Sequence, residues 1–267
     1  MILLSFDTEE FDVPRESGVD YTLAEGVEVS RYGTAKILDI LDRTGVKATF
    51  FCTTNFAENA PDIMQRTMAS GHEIAAHGCD HWQPKPSDVF EAKKRLEELT
   101  GCNVLGYRQP RMFAVSDEDI RSAGYLYNSS LNPCFIPGHY NHLDKPRTAF
   151  MQDGVLQIPA SVTPLLRIPL FWLAVHNFPP ALYRWMARRT VSHDGYLSVY
   201  MHPWEFYPLG EHPEFKMKFI SRNHAGMGME RRLEQLIRMF LDRGEEFTTY
   251  GDFARRKIAQ LTGDHAR

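Results

Sequence analysis

Two histidines four residues apart, His77 and His81 in the run HGCDH, directly follow the short apolar segment Ile74-Ala75-Ala76. Just past a strand end, such a spacing turns both imidazoles toward one point, and neutral imidazole is a common ligand for zinc. The competing reading is two solvated loop histidines among the eleven in the chain. Three further groups give the pair company. The run FDTEEFD places Asp7, Glu9, Glu10 and Asp12 after an apolar N-terminal stretch. Arg108 opens RQPR, and His202 opens HPWE. Buried acids are costly without partners, so four of them at a strand end are either a solvated loop or a site. A hydrolytic metal centre needs three protein ligands and an open position, which two histidines and a carboxylate satisfy. A second carboxylate can accept a proton from water, a cation can keep that carboxylate ionised, and a further histidine can protonate a leaving group.

Each group sits at the C-terminal end of a segment that reads as a strand. Met1–Phe6 is apolar except for Ser5 and suits a strand buried on both faces. Val46–Cys52, Glu73–Ala76, Val104–Tyr107, Tyr125–Tyr127, Gly154–Pro159 and Tyr196–Met201 follow, and a last strand is expected near Phe247. Helices are expected between them: Ser30 to Thr44, Asn55 or Asn59 to Ala69, Val89 to Thr100 with Phe90, Leu96 and Leu99 inward, and a short one from Ser116 to Gly124. Ala181–Val191, Met229–Arg243 and Asp252–Leu261 complete the set, and Val13–Glu28 reads as a long polar loop. Alternation of strands and helices implies an α/β fold with a mostly parallel sheet. Chemistry at successive strand ends implies a barrel, whose active site lies on that face. The turn-rich run from Asn128 to Arg147 carries His139 and His142 and is expected to line the cleft.

The chain has 267 residues, 43% hydrophobic and 24% charged, which suits one globular domain spanning 1–267. A net charge of -4 argues against a nucleic-acid surface. No basic segment with a long apolar run opens the chain, and no apolar stretch of about 18 residues occurs, so a cytoplasmic protein without a transmembrane segment is expected. Cys52, Cys79, Cys102 and Cys134 show no paired spacing and read as free thiols, with Cys79 a packing residue before it is a ligand. Pro164–Val191 is rich in Leu, Phe and Trp beside arginines. It reads as core or dimer interface first, and it also allows contact with a lipid-linked substrate.

The order SFDTEEFD, HGCDH, RQPR, LSVYMHPWE, with ATFFC and GHEIAAH alongside, resembles the polysaccharide deacetylases of carbohydrate esterase family 4. The resemblance covers most of residues 1–207, and the remaining tail fits a subgroup with an HPWE ending. It implies a distorted, incomplete (β/α) barrel and a metal-dependent hydrolase that removes the N-acetyl group of an amino sugar. It implies Asp7 as general base, Glu9, His77 and His81 as ligands of one divalent metal such as Zn2+, and Arg108 as the partner of Asp7. It further implies the backbone N–H of Arg111 at the oxyanion and His202 as general acid. The family often has adjacent aspartates where this chain has Asp7-Thr8-Glu9. Residues two apart on an extended segment share a face, which favours Glu9 over its rival Glu10. The aspartate–tryptophan motif that orients the acid histidine is missing, and Asp153 or Glu205 is the candidate substitute. Two other readings stay open: deformylation or deacetylation of a lipid-linked sugar, and a non-catalytic carbohydrate-binding barrel.

Overall fold

The structure, a computed structural model, describes residues 1–138 and 140–264. Its ten strands are β1 Ile2–Thr8, β2 Thr49–Cys52, β3 Glu73–Ala76, β4 Gly106–Tyr107, β5 Tyr127–Asn128, β6 Phe135–Ile136, β7 Tyr140–Asn141, β8 Phe150–Gln152, β9 Val155–Gln157 and β10 Leu197–Met201. Its helices are α1 Val13–Glu16, α2 Leu23–Thr44, α3 Thr54–Asn59, α4 Pro61–Ala69, α5 Asp88–Thr100, α6 Asp117–Ser122, α7 Trp172–Asn177, α8 Pro180–Asp194, α9 Phe219–Arg222, α10 Met227–Leu241 and α11 Tyr250–Asp264. Eight strands form one sheet in the order β10-β1-β2-β3-β4-β5-β9-β8, parallel throughout except for the β8–β9 pair. This is the expected distorted, incomplete (β/α) barrel. Between β9 and β10 the wall is completed by single contacts, such as the Ser161 N–H donating to the Ser198 carbonyl at 2.9 Å.

Both faces of β1 are buried, as its unbroken apolar run requires. Ile2, Leu4 and Phe6 pack outward with Phe50, Ile74 and the inner stripes of α2 and α10. Leu3 faces the barrel interior with Phe51, Ala75, Tyr127 and Tyr250. The alternation puts Asp7 on the interior side, and the register does the rest. Phe6 pairs with Met201 and Ala76 with Tyr107, so His202 follows at the level of Asp7 and Arg108 at the level of His77.

Several elements depart from the sequence reading. Much of the expected loop Val13–Glu28 is helical. Val13 and Pro14 open α1, and Thr22 and Glu25 form a capping box that starts α2 at Leu23, seven positions ahead of Ser30. The helix expected up to Ala69 is two helices, because Pro61 cannot continue α3 and opens α4. On α5 it is Val89, Ala92 and Leu96 that face inward, while Phe90 and Leu99 are exposed. Near Phe247 there is one bridge, to Ile2, rather than a strand. Leu182 and Trp185 of α8 are exposed, so they are not core. Among the described residues no helix is long and apolar enough to cross a membrane.

Candidate active site

Three ligand-type side chains converge beyond β1 and β3. Glu9 Oε2 lies 3.1 Å from His77 Nε2 and 3.1 Å from His81 Nε2, and all three residues are buried. The HGCDH turn allows this because Gly78 adopts a φ of +72°, where a Cβ would also come within 3.0 Å of Pro110. The other ring nitrogens are held from behind. His77 Nδ1 donates to the Arg108 carbonyl at 2.8 Å, and His81 Nδ1 donates to Asp12 Oδ2 at 2.8 Å. Such outer partners fix the tautomer and leave the Nε2 lone pairs pointing inward. Lone pairs of two imidazoles then face a carboxylate oxygen, acceptor against acceptor, an arrangement that calls for a cation between them. Burial opposes a proton on His81, yet Glu9 and Asp12 outweigh it and raise its pKa to about 9. The spacing fits a metal as well, since ligand atoms about 2.0–2.2 Å from one zinc ion stand roughly 3.3 Å apart at the tetrahedral angle.

Glu10, the rival ligand, points elsewhere. It accepts from Thr53 Oγ1 at 2.7 Å, Asn55 Nδ2 at 3.2 Å and the His81 backbone N–H at 2.9 Å. It braces the histidine turn. Asp12, next in line after Asp7 as a base in the sequence reading, ties His81 to Arg111, whose Nη2 lies 3.1 Å away. Arg111 has a left-handed backbone, φ 58°, and packs its guanidinium 5.3 Å over Trp82.

Asp7 forms an ion pair with Arg108 through Oδ1, with Arg108 fully buried and Asp7 nearly so. Burial would raise the Asp7 carboxyl, but Arg108, His77 and His202 together hold it below the usual range. Arg108 is fixed on every side. It donates to Ser129 O and Oγ and to Tyr250 OH, and it lies 3.8 Å over the Phe51 ring. Tyr250 comes from the tail, so residues beyond 207 help build the site's interior.

The other Asp7 oxygen, Oδ2, faces His202 Nε2 at 4.0 Å. His202 is clamped by aromatic rings, stacked on Trp204 at 5.0 Å and edge-on to Trp172 at 5.4 Å. Close packing of α2 sets its height, because a Cβ on Gly33 would fall 1.8 Å from the Pro203 carbonyl. Of the two candidate orienting acids, Glu205 is the one at hand. Its Oε1 accepts from His202 Nδ1 at 2.8 Å and from the His202 backbone N–H at 2.6 Å. Asp153 stands in the exposed turn between β8 and β9. Behind Glu205 lies a residue the sequence reading did not single out, His176, fully buried on α7. Its Nε2 meets Glu205 Oε2 at 2.9 Å and its Nδ1 meets the Asn223 carbonyl. The ring thus ties Glu205 to the Asn223 carbonyl. The sole hint in sequence is a histidine inside the apolar run FWLAVHNF. Burial works against charge on His202, yet Glu205, Glu9 and Asp7 raise its pKa overall.

His142 stacks on Tyr140 at 4.9 Å and bonds the Asn132 carbonyl, and Asn132 in turn donates to Tyr200, the neighbour of His202. His139 lies outside the described residues. Cys79 is apart from the histidine cluster. It forms its own group with Asp88 and Glu91, where burial raises its thiol to about 11 and keeps it protonated.

Residues 3–121 match the family model for polysaccharide deacetylase. A chitooligosaccharide deacetylase of Bradyrhizobium is 40% identical over 72 residues, 27% of this chain and 32% of that one. A peptidoglycan deacetylase of Helicobacter pylori is 24% identical over 178 residues, 60% of each chain. The chain thus spans about a third of the length of several curated relatives that it matches. In structure, a candidate polysaccharide deacetylase of Mycobacterium smegmatis superposes with a TM-score of 0.66 at 19% identity, over 97% of this chain and 90% of that one. The likeness in structure shows the fold, and the stretch 3–121, which carries Asp7, Glu9, His77, His81, Arg108 and Arg111, has the sequence pattern of the polysaccharide deacetylase family.

Proposed function

We propose that this chain is a metal-dependent hydrolase of the polysaccharide deacetylase family, in the HPWE-ending subgroup, and that residues 1–267 act as one domain. It removes the N-acetyl group from an amino sugar of a polysaccharide or its precursor and releases acetate. The observation that carries this reading is the shared focus of Asp7 Oδ2 and His202 Nε2, 4.0 Å apart, beside the Glu9–His77–His81 trio.

A divalent ion such as Zn2+, held by Glu9, His77 and His81, would supply Lewis acidity at the amide carbonyl and lower the pKa of water toward about 7. Asp7 accepts the proton of the attacking water through Oδ2, since Oδ1 is engaged by Arg108. The Arg108 guanidinium keeps that carboxylate ionised in a place where burial alone would neutralise it. The Arg111 backbone N–H serves the developing oxyanion. His202 hands a proton from Nε2 to the departing amine, and Glu205 holds Nδ1–H so that Nε2 is the nitrogen that exchanges it.

A second reading, removal of a formyl or acetyl group from a lipid-linked sugar, draws on the exposed apolar hairpin at Leu165 and Leu166. One assay separates the readings. The zinc-loaded protein is incubated with N-acetylated oligosaccharides and with lipid-linked N-acyl sugars, and each product is weighed by mass spectrometry. Loss of acetyl from the free saccharide supports the main reading, and turnover of lipid-linked substrate alone supports the second. Saccharide binding without release of any acyl group would leave only a carbohydrate-binding barrel.

A further inference from the structure

The hairpin between β9 and α7 presents apolar side chains to solvent in a way the barrel does not need. Leu165 is 93% exposed and Leu166 80% exposed. They are held at a rigid tip. Val162 bridges Pro169, Thr163 N–H donates to the Ile168 carbonyl at 2.9 Å, and Ile168 N–H donates to Thr163 Oγ1 at 3.0 Å. Arg167 closes the turn at a φ of 51°, and its guanidinium donates to the Pro133 and Lys145 carbonyls. Beside the tip, α8 adds the half-exposed Trp185. Exposed apolar residues scattered singly are ordinary, but a contiguous group on a preformed turn marks a contact surface. Because the turn is already ordered, docking costs little conformational entropy.

Charge identifies what is docked. The groove between the hairpin and α8 is lined by Arg188, Arg189, Arg243 and His193, and by no carboxylate. Asp194, next along the helix, is nearly buried and engaged by Arg147 and His193, which leaves the three arginines as the free basic groups of the lining. Arg189 lies 5.9 Å over the Trp185 ring, so the aromatic and basic parts form one patch. This basic concentration stands out in a chain of net charge -4. A second copy of the chain is a poor occupant, because a two-fold contact would set the same arginines against each other. We propose that this flank docks on an anionic phospholipid bilayer. Leu165 and Leu166 enter the boundary of the acyl chains, Trp185 sits at headgroup level, and Arg188, Arg189 and Arg243 meet the lipid phosphates.

The test is co-sedimentation of the full chain with phosphatidylcholine vesicles made with and without phosphatidylglycerol. Binding is read without substrate, so the outcome is independent of the chemistry assigned to the active site. The expected result is binding that needs phosphatidylglycerol and weakens with added salt. Leu165→Glu with Leu166→Glu should reduce it at least tenfold, since two apolar contacts are lost and two like charges are added. Arg188→Glu with Arg189→Glu should do the same without touching the hairpin. All four positions are on the surface, so unchanged thermal midpoints are expected for both variants. Absence of binding, binding indifferent to phosphatidylglycerol, or equal binding by both variants would overturn the proposal. So would a dimer in light scattering that the leucine variant dissociates.

Discussion

Replacing Glu205 by Gln separates shape from charge at the general acid. The amide oxygen can still accept from the His202 N–H groups, and the amide NH2 takes the place of the oxygen that faces His176. Only the negative charge is removed from a spot 2.8 Å from His202 Nδ1. Hydrogen bonds to charged groups contribute about 1.5–3 kcal/mol and neutral ones about 0.5–1.5. The difference, about 1–1.5 kcal/mol, corresponds to roughly one pH unit in the pKa of His202. The sign follows from the direction of the shift. Glu205 favours the imidazolium and helps raise that pKa, so its loss lowers it. The alkaline limb of kcat should therefore move about one unit toward acid, with activity above it down about tenfold. The assay is the pH profile of amide hydrolysis, run beside an ester with a good leaving group. The ester needs little protonation and should be much less impaired. An unmoved alkaline limb, with amide and ester equally slowed at an unchanged thermal midpoint, would refute the link from Glu205 through His202 to the leaving group.

Asp7→Asn keeps the shape but cannot take a proton. Metal content should be unchanged while turnover falls about 10²-fold or more, measured by acetate release from a metal-replete sample. Arg108→Gln should leave Asp7 buried without its cation. The carboxyl pKa then climbs and the acidic limb of the activity profile moves to higher pH. Stability should drop by about 3–5 kcal/mol in urea unfolding, the usual cost of breaking a buried pair. In the unmodified chain the Asp7 carboxyl is depressed, so its contribution to stability is present above about pH 4 and is lost as pH falls through the lower folded value. His176→Asn should strand one oxygen of Glu205, lowering stability by about 1–3 kcal/mol.

The sheet was legible because its signals are local. Apolar runs such as ILLSF and YLSVYM match strands buried on both faces, and each ends in a polar group. Helix starts were less legible. The Thr22–Glu25 capping box lies inside a polar stretch, and no apolar periodicity announces α2 until Val27. On α5, Val89 and Phe90 are adjacent, so the inward stripe turns on a single position of phase, and the larger side chain is the exposed one. Glu9 and Glu10 point to different partners just past the end of β1, Glu9 to His77 and His81 and Glu10 to Thr53 and Asn55. The partners Asp12, His176 and Tyr250 could not be read the same way. Tyr250 meets Arg108 across 142 positions and His176 meets Glu205 across 29, so only the folded chain brings them together.

Zinc content per chain, measured on the purified protein and on His77→Ala and His81→Ala, tests the central claim most directly. The Glu9–His77–His81 focus predicts about one equivalent in the unmodified chain and little in either variant, with thermal midpoints showing that both remain folded. Full zinc occupancy in both variants would contradict the site as described, whatever the activity of the protein.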